Sequence, residues 1–242
     1  MIEDLISIGC SFMTKWKCPT HTGIEVSKNL GLNHIDGWSR WGASNDEIVT
    51  KTKIFFLEDE SRIQNTFALI GITEPEREGQ MSNHFRYWPE CGEWEDEWFS
   101  EQGKTKELKI NAPSDNADPT EWVIWNTSRN RRMLGDLALR MLRQILELQN
   151  FFQVMGIKYC MYHTIRGWPP YERLKLHSLK YLRDNVDTEK FYKLCEFSHG
   201  DYIHFKSPKM TVSEYDGHPS EEGHKEWAKL LSDFIQRSEL VK

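Results

Sequence analysis

The sequence predicts an α/β protein whose mostly parallel sheet is covered by helices on both faces. Three short apolar runs, residues 4–8, 66–72 and 157–162, have the composition of buried strands. Segments with helical periodicity lie between and after them, an alternation typical of βαβ units. The length of 242 residues favours one large domain over two small ones, with a single core.

The first part of the chain alternates as the fold class requires. The apolar run 4–8 ends at Gly9. A helix is predicted over 20–31, where the final glycine is the usual residue just past a helix C-terminus. A turn-rich segment follows and leads into a second helix, from about residue 45 to residue 57. The second strand, 66–72, comes next.

The longest predicted helix spans residues 131–155. Its apolar residues recur at helical spacing and would form one buried stripe, namely Leu134, Leu137, Met141, Leu142, Ile145, Leu148, Phe152 and Met155. Gly156 ends the helix, and the third strand follows. A short helix is predicted over 187–196. A last helix is capped by Ser220, with a stripe made of Trp227, Leu230, Leu231 and Phe234.

Residues 79–128 differ from the rest and are predicted to form an irregular insertion in the single domain 1–242. Five of the ten tryptophans lie here, and six acidic residues occur between positions 90 and 101. A hairpin is predicted at about 105–125. Tryptophan rings stack on sugars and cations, but they also hold loop-rich subdomains or oligomer contacts together. Packing is the favoured interpretation, and the acids disfavour a polyanionic ligand.

Composition and charge exclude several classes of function. The net charge of −6 argues against nucleic-acid binding. The five cysteines are widely spaced and include no CxxC pair, so neither disulfides nor a zinc site are predicted. The N-terminus does not have the pattern of a signal peptide, and no apolar run approaches the roughly 18 residues of a membrane span. We expect a cytoplasmic protein without a nucleic-acid or membrane partner; the oligomeric state stays open.

The histidines outside the candidate site are not expected to bind metal. His163, His199 and His204 have no cysteine or carboxylate companion at metal-ligand spacing. His224, inside the last helix, is expected to be structural.

Two segments far apart in the chain carry side chains suited to covalent chemistry. Ser11 follows the first strand, where a sharp turn lets its hydroxyl stand clear of the sheet. A serine hydroxyl needs a base within hydrogen-bond reach to act as a nucleophile. His218, close to the C-terminus, can supply that base near neutral pH, and Asp216 can hold the other ring nitrogen. Each residue by itself also fits a simple turn or cap.

A third segment, Gly42-Ala43-Ser44-Asn45, offers hydrogen-bond donors. Gly42 allows its backbone N–H to approach a ligand closely, and Asn45 adds a side-chain amide. The same residues suit a loop followed by a helix cap. Because ligands bind at the carboxyl ends of strands in such sheets, we expect three polar loops to meet there: Gly9-Cys10-Ser11, Thr73 to Glu78 and the segment before Ser220.

The order of these segments resembles the SGNH, or GDSL-type, hydrolase family. Gly9-Cys10-Ser11-Phe12 resembles the family's first block, in which a serine follows strand one. Gly42 resembles the glycine of the second block, and Asp216 to Pro219 resembles the last, Asp-x-x-His-Pro. The fuller pattern GCSF…GASN…DGHPSEEGH is similar to a divergent branch often encoded by bacteriophages. The resemblance covers both chain ends and the third-strand region, but not residues 79–128.

The resemblance implies a three-layer α/β/α sandwich of flavodoxin-like type. It implies Ser11 as nucleophile, His218 as base and Asp216 as the residue that orients it. The backbone N–H groups of Ser11 and Gly42, with the amide of Asn45, would form the oxyanion hole. Such enzymes hydrolyse esters through an acyl-enzyme, without metal or cofactor. An acylated carbohydrate is the expected small-molecule substrate, and transfer of the acyl group to another hydroxyl stays open.

Two departures concern the first and last blocks. Cys10 stands where the family often has aspartate, and Asp216 precedes His218 by two residues instead of three. A shortened spacing could turn the carboxylate away from the imidazole. This departure at Asp216, together with one at Thr73, leaves open an alternative function: a non-catalytic binding or assembly protein on the same fold. An example would be an assembly protein of a virus, located either in the host cytoplasm or in the virus particle.

A third departure concerns the oxyanion donors. The third block aligns with residues 71–74, where Thr73 replaces the family's amide donor. Either Asn45 substitutes for that donor or Thr73 donates weakly. Thr73 and Arg77 are expected to contact substrate, since a guanidinium suits an anionic group or an oxyanion.

Overall fold

The computed structural model describes residues 2–15, 17–73, 138–165, 177–194, 197–213 and 216–241. All of them belong to one of the two compact units into which the chain divides, and only that unit is described below. The insertion predicted at 79–128, its hairpin at 105–125 and Arg77 lie outside the described residues.

Five parallel strands form the main sheet, in the order β2-β1-β3-β4-β5. Their bounds are β1 (Asp4–Ile8), β2 (Asn33–Ile35), β3 (Thr66–Ile72), β4 (Tyr159–His163) and β5 (Phe191–Tyr192). β1 pairs with β3 along its whole length, from Asp4 opposite Thr66 to Ile8 opposite Ile70. Both strands are buried almost throughout, as their continuous apolar sequences require. The predicted parallel sheet is confirmed.

Helices cover both faces of this sheet. Their bounds are α1 (Thr22–Leu30), α2 (Asn45–Leu57), α3 (Arg62–Asn65), α4 (138–155), α5 (His177–Asp184), α6 (His199–Lys206) and α7 (Glu221–Arg237). α1 packs against α7, and ion pairs join α2 to α4 through Asp46 and Arg140 and through Lys53 and Glu147. β2 lies on one side of β1 and β3 lies on the other side, so the chain changes direction across the sheet after β2. Because crossovers between parallel strands are right-handed, α1 and α2 lie on opposite faces of the sheet.

The result is the expected three-layer arrangement, and the buried helix stripes face its core. In α4 the side chains of Met141, Leu142, Ile145, Leu148 and Phe152 are buried. In α7, Trp227 and Leu231 of the predicted stripe are fully buried, whereas Leu230 and Phe234 are half-buried and Ala228 and Ile235 complete the buried face. None of the helices in the described part of the chain is long and apolar enough to cross a membrane.

A small antiparallel hairpin lies next to the C-terminal helix. It consists of β6 (Thr211–Ser213) and β7 (Asp216–Pro219). The predicted cap of α7 is confirmed: the Ser220 hydroxyl accepts the N–H of Gly223 at 3.2 Å. The same hydroxyl donates to the carbonyl of Lys209 at 2.7 Å, and this bond ties the start of α7 to the 3₁₀ turn Pro208–Met210, which directly precedes β6.

The helix predicted over 187–196 is wrong. Over the described part of that range, the chain forms turns and then β5. Phe191 pairs with Met161 of β4, and the N–H of Met161 donates to the carbonyl of Lys190 at 2.8 Å. Aromatic residues suit strands, and the open edge of β4 supplies backbone partners that a local pattern cannot reveal.

Other short elements were also missed by the sequence analysis. The turn-rich segment after α1 contains β2 at one edge of the sheet, and the loop predicted around His218 is the strand β7. α5 and α6 were not predicted either. Strands of three or four residues are too short to show a period in the sequence.

Candidate active site

Ser11 lies at the carboxyl edge of the sheet, in a tight turn after β1. It begins a short 3₁₀ turn, Ser11–Met13, and only 5% of its surface is exposed. Gly9 makes the turn possible, because a Cβ there would lie 2.6 Å from Met13 Cγ and 3.2 Å from the Gly71 carbonyl oxygen. A side chain at position 9 would therefore collide with Met13 and lie very close to the backbone of β3.

His218 connects this turn to the C-terminal hairpin. Its Nε2 lies 3.0 Å from the Ser11 hydroxyl, and its Nδ1 lies 2.6 Å from Oδ1 of Asp216. In the neutral ring, Nδ1–H donates to the carboxylate and Nε2 accepts from the serine hydroxyl. This array can transfer a proton from the hydroxyl to the imidazole while the carboxylate stabilises the imidazolium.

The short spacing between Asp216 and His218 fits a strand. Side chains two residues apart in a strand lie on the same side of it, and both residues belong to β7. Oδ1 of Asp216 accepts the backbone N–H of His218 at 3.2 Å in addition to the ring Nδ1–H. One intervening residue therefore suffices to bring carboxylate and imidazole together.

The imidazole has one packed face and an accessible edge. The Phe12 ring lies 5.6 Å from the His218 ring, centroid to centroid, and 5.3 Å from the ring of buried His199. The side chain of His218 is 29% exposed and that of Asp216 is 16% exposed. Solvent, and hence a substrate, can reach the His218 side chain.

Asn45 and Thr73 form a buried clamp between the start of α2 and the end of β3. The Asn45 amide donates to the Thr73 carbonyl at 3.1 Å and accepts the Thr73 N–H at 2.9 Å. The Thr73 hydroxyl is buried and has no hydrogen-bond partner among the residues that the structure describes. The amide of Asn45 is thus bonded to the Thr73 backbone, while the threonine side chain offers an unused hydroxyl.

Gly42 lies in a loop that is tied to the end of β1. Its φ of 68° is in the left-handed region that favours glycine. The N–H of Arg40 donates to the carbonyl of Gly9 at 3.2 Å, and the N–H of Ala43 donates to the carbonyl of Arg40. These bonds attach the Gly42 loop to the residue that opens the Ser11 turn.

Lys17 also reaches this site, although the sequence analysis did not single it out. Its Nζ donates to Oδ2 of Asp216 at 2.9 Å, across 199 residues of chain. A lysine in a polar loop gives no local signal of such a distant partner.

His224 is placed as the expected structural residue. It is buried in α7, and its Nδ1 lies 3.0 Å from the hydroxyl of Thr22, at the start of α1. Burial lowers the pKa of His224 to about 3, and the nearby His218 contributes to the lowering. Burial also lowers the pKa of His163 to about 4 and that of His199 well below its usual value.

Within the described residues, His21, His34 and Asp36 are the group whose ligand atoms come close enough to hold a metal ion. His21 Nδ1 accepts the N–H of Gly23, which leaves the ring proton on Nε2. That Nε2 is buried, has no hydrogen-bond partner among the described residues and lies 3.9 Å from Oδ1 of Asp36. His34 Nε2 bonds to a serine hydroxyl, and Asp36 pairs with a lysine.

Comparison with solved structures identifies the fold. A lipase from a goat rumen metagenome matches with a TM-score of 0.52 and 10% identity over 98% of each chain. The two proteins share one fold. A candidate acylhydrolase of Bacteroides fragilis (0.44, 13%, 98% of this chain and 88% of that chain) also matches. So does a GDSL-like lipase of Bacteroides thetaiotaomicron (0.43, 12%, 98% and 89%). No protein-family model and no curated protein matched the sequence.

Proposed function

We propose that this protein is a serine ester hydrolase of the SGNH type. The main support for this proposal is a pair of contacts: the Ser11 hydroxyl lies 3.0 Å from His218 Nε2, and His218 Nδ1 lies 2.6 Å from Asp216 Oδ1. These residues meet at the carboxyl edge of a parallel sheet, where such folds bind ligands. The sequence motifs give independent support, because they nominate the same three residues.

The proposed reaction passes through an acyl-enzyme. Ser11 Oγ attacks the ester carbonyl carbon while its proton moves to Nε2 of His218. The tetrahedral intermediate collapses as the bond to the alcohol breaks, and the alcohol leaves with the proton from His218. Water then attacks the acyl carbon, giving its proton to His218, and release of the acid returns a proton to Ser11. Asp216 stabilises the imidazolium in both halves of the reaction.

The proposed oxyanion donors are the backbone N–H groups of Ser11 and Gly42 and the hydroxyl of Thr73. A buried hydroxyl without a partner is costly, and an oxyanion would supply the missing acceptor. Asn45 was expected to donate its amide; in this proposal it acts by holding the Thr73 backbone through two hydrogen bonds. Arg77 keeps its expected role toward an anionic substrate group.

An acylated carbohydrate is the proposed substrate class. Its support is the resemblance to SGNH hydrolases, which often act on lipids or acylated sugars. The tryptophan-rich composition of residues 79–128 is compatible with this class, since indole faces suit sugar rings. A panel of acetylated sugars, assayed with and without a sugar acceptor, tests this class and separates hydrolysis from acyl transfer. Membership of the phage-like branch and a cytoplasmic location stay predictions from the sequence.

The deciding experiment uses p-nitrophenyl acetate and a serine-directed fluorophosphonate. We expect turnover and covalent labelling of the wild type, and neither in Ser11→Ala. Ser213→Ala is the matched control, because this serine is exposed in the neighbouring hairpin. It should behave as wild type.

The alternative, a non-catalytic binding or assembly protein, makes the opposite prediction. Absence of turnover and labelling in a folded wild type would favour it. The reasons to consider it were Thr73 in place of the amide donor and the shortened Asp-x-His spacing. The 2.6 Å contact between Asp216 and His218 weakens the second reason.

A further inference from the structure

We propose that Lys17 is a positioning residue that holds the carboxylate of Asp216 in the orientation His218 requires. The inference rests on the proposed esterase function. Lys17 follows the turn that carries Ser11, so one short segment would supply both the nucleophile and the support of the distant carboxylate.

The two oxygens of Asp216 have separate partners. Oδ1 accepts the ring Nδ1–H and the backbone N–H of His218, at 2.6 and 3.2 Å. Oδ2 accepts from Lys17 Nζ at 2.9 Å. Fixing both oxygens fixes the plane of the carboxylate, and with it the direction of the bond to His218.

The segment around Lys17 is docked along β7. Cys18 Sγ donates to the carbonyl of Pro219 at 3.5 Å, so residues 17 and 18 contact both ends of the strand. Lys17 has a φ of 50°, in the left-handed region that is uncommon for a residue with a Cβ. Such conformations persist where surrounding contacts determine them, and they are frequent at functional sites.

The single residue between Asp216 and His218 is a reason why the Asp216 carboxylate needs the contact with Lys17. Asp216 and His218 share one short edge hairpin of two strands, and a two-stranded hairpin is marginally stable by itself. An anchor from the opposite end of the chain restrains the carboxylate where the hairpin alone would leave it free to turn.

If Lys17 and Asp216 formed only a surface ion pair, removal of the lysine would have a different effect on catalysis. The Lys17 side chain is 58% exposed, and exposed pairs contribute little to folding stability. If the role of Lys17 were only structural, its removal would therefore leave the proton transfer from Ser11 to His218 unchanged. If Lys17 positions Asp216, its removal impairs that proton transfer while the folding stability stays nearly constant.

The test compares Lys17→Met, Lys17→Arg and Lys15→Met. Lys15 is the matched control, since it lies in the same segment, is 50% exposed and pairs with Asp36, away from Asp216. We expect Lys17→Met to lower kcat/KM for p-nitrophenyl acetate about ten- to hundredfold, as misplacement of a catalytic group does. Lys17→Arg should restore most activity, and Lys15→Met should stay within about twofold of wild type.

A second measurement follows the His218 Nδ1–H proton by NMR and needs no turnover. We expect its low-field resonance to shift or broaden in Lys17→Met and to stay unchanged in Lys15→Met. If the wild type is inactive but the resonance responds, the esterase proposal fails and the positioning role stands. If Lys17→Met leaves the resonance and, in an active enzyme, kcat/KM unchanged, the positioning role is wrong.

Discussion

Asp216 and His218 are separated by one glycine and joined by two hydrogen bonds, at 2.6 Å to the ring and 3.2 Å to the backbone. The pair depends on strand geometry, because only residues at even spacing in β7 lie on the same side. The order of the residues along the strand is therefore part of the proposed chemistry.

Inserting one glycine after Gly217 should disrupt the site, although it restores the Asp-x-x-His spacing of the resembling family. The insertion moves Asp216 to the opposite side of the strand. We expect kcat/KM for p-nitrophenyl acetate to fall roughly ten-thousandfold, as when a triad carboxylate is lost. Asp216→Asn should give a similar loss in a folded protein. The same insertion after Gly37, an exposed turn residue, should leave activity unchanged; an active Gly217 insertion would contradict the proposed relay.

Thr73→Val should separate catalysis from stability. The valine removes a buried hydroxyl that has no partner within the described part of the chain. We expect kcat to fall about a hundredfold, the cost of one oxyanion donor. The free energy of unfolding should stay constant or rise by up to about 1 kcal/mol. Thr73→Ser keeps the hydroxyl and should retain most activity. Unchanged turnover in Thr73→Val, measured beside urea unfolding, would remove Thr73 from the oxyanion hole.

The buried histidines should make the protein sensitive to acid. The pKa of His224 is lowered to about 3, from an ordinary value of 6.5. Between those values the unfolded chain binds a proton that the folded chain excludes, so stability falls as pH decreases from about 6.5 toward 3. Each such histidine contributes about 1.4 kcal/mol per pH unit. His224→Asn should flatten the slope of unfolding free energy by about that amount.

Urea unfolding between pH 4 and 7 provides the measurement for His224→Asn. His204→Asn is the control, since His204 is exposed and should leave the slope nearly unchanged. Equal slopes for wild type and His224→Asn would contradict the assignment of His224 as a buried neutral residue.

Long buried elements could be predicted from the sequence, and short edge elements could not. β3 and α2 were predicted within a residue of their bounds, because seven consecutive buried positions or several helical turns leave a clear pattern. β5 has two residues and was predicted as part of a helix. Its conformation follows from pairing with β4, a contact that no local pattern contains.

The candidate site also contains residues that the sequence could nominate and contacts that it could not. Ser11, Asp216 and His218 could be nominated because motif residues stand beside predicted elements. The clamp between Asn45 and Thr73 and the contact between Lys17 and Asp216 join residues 28 and 199 positions apart. No spacing rule covers those separations.

Sequence alone established the α/β class, the central strands and which residue types were available for covalent chemistry, since these depend on neighbours along the chain. Tertiary structure alone decided which donor meets which acceptor. Parallel strands bring remote loops to one edge of the sheet, and hydrogen bonds form there only between groups that packing holds within about 3 Å.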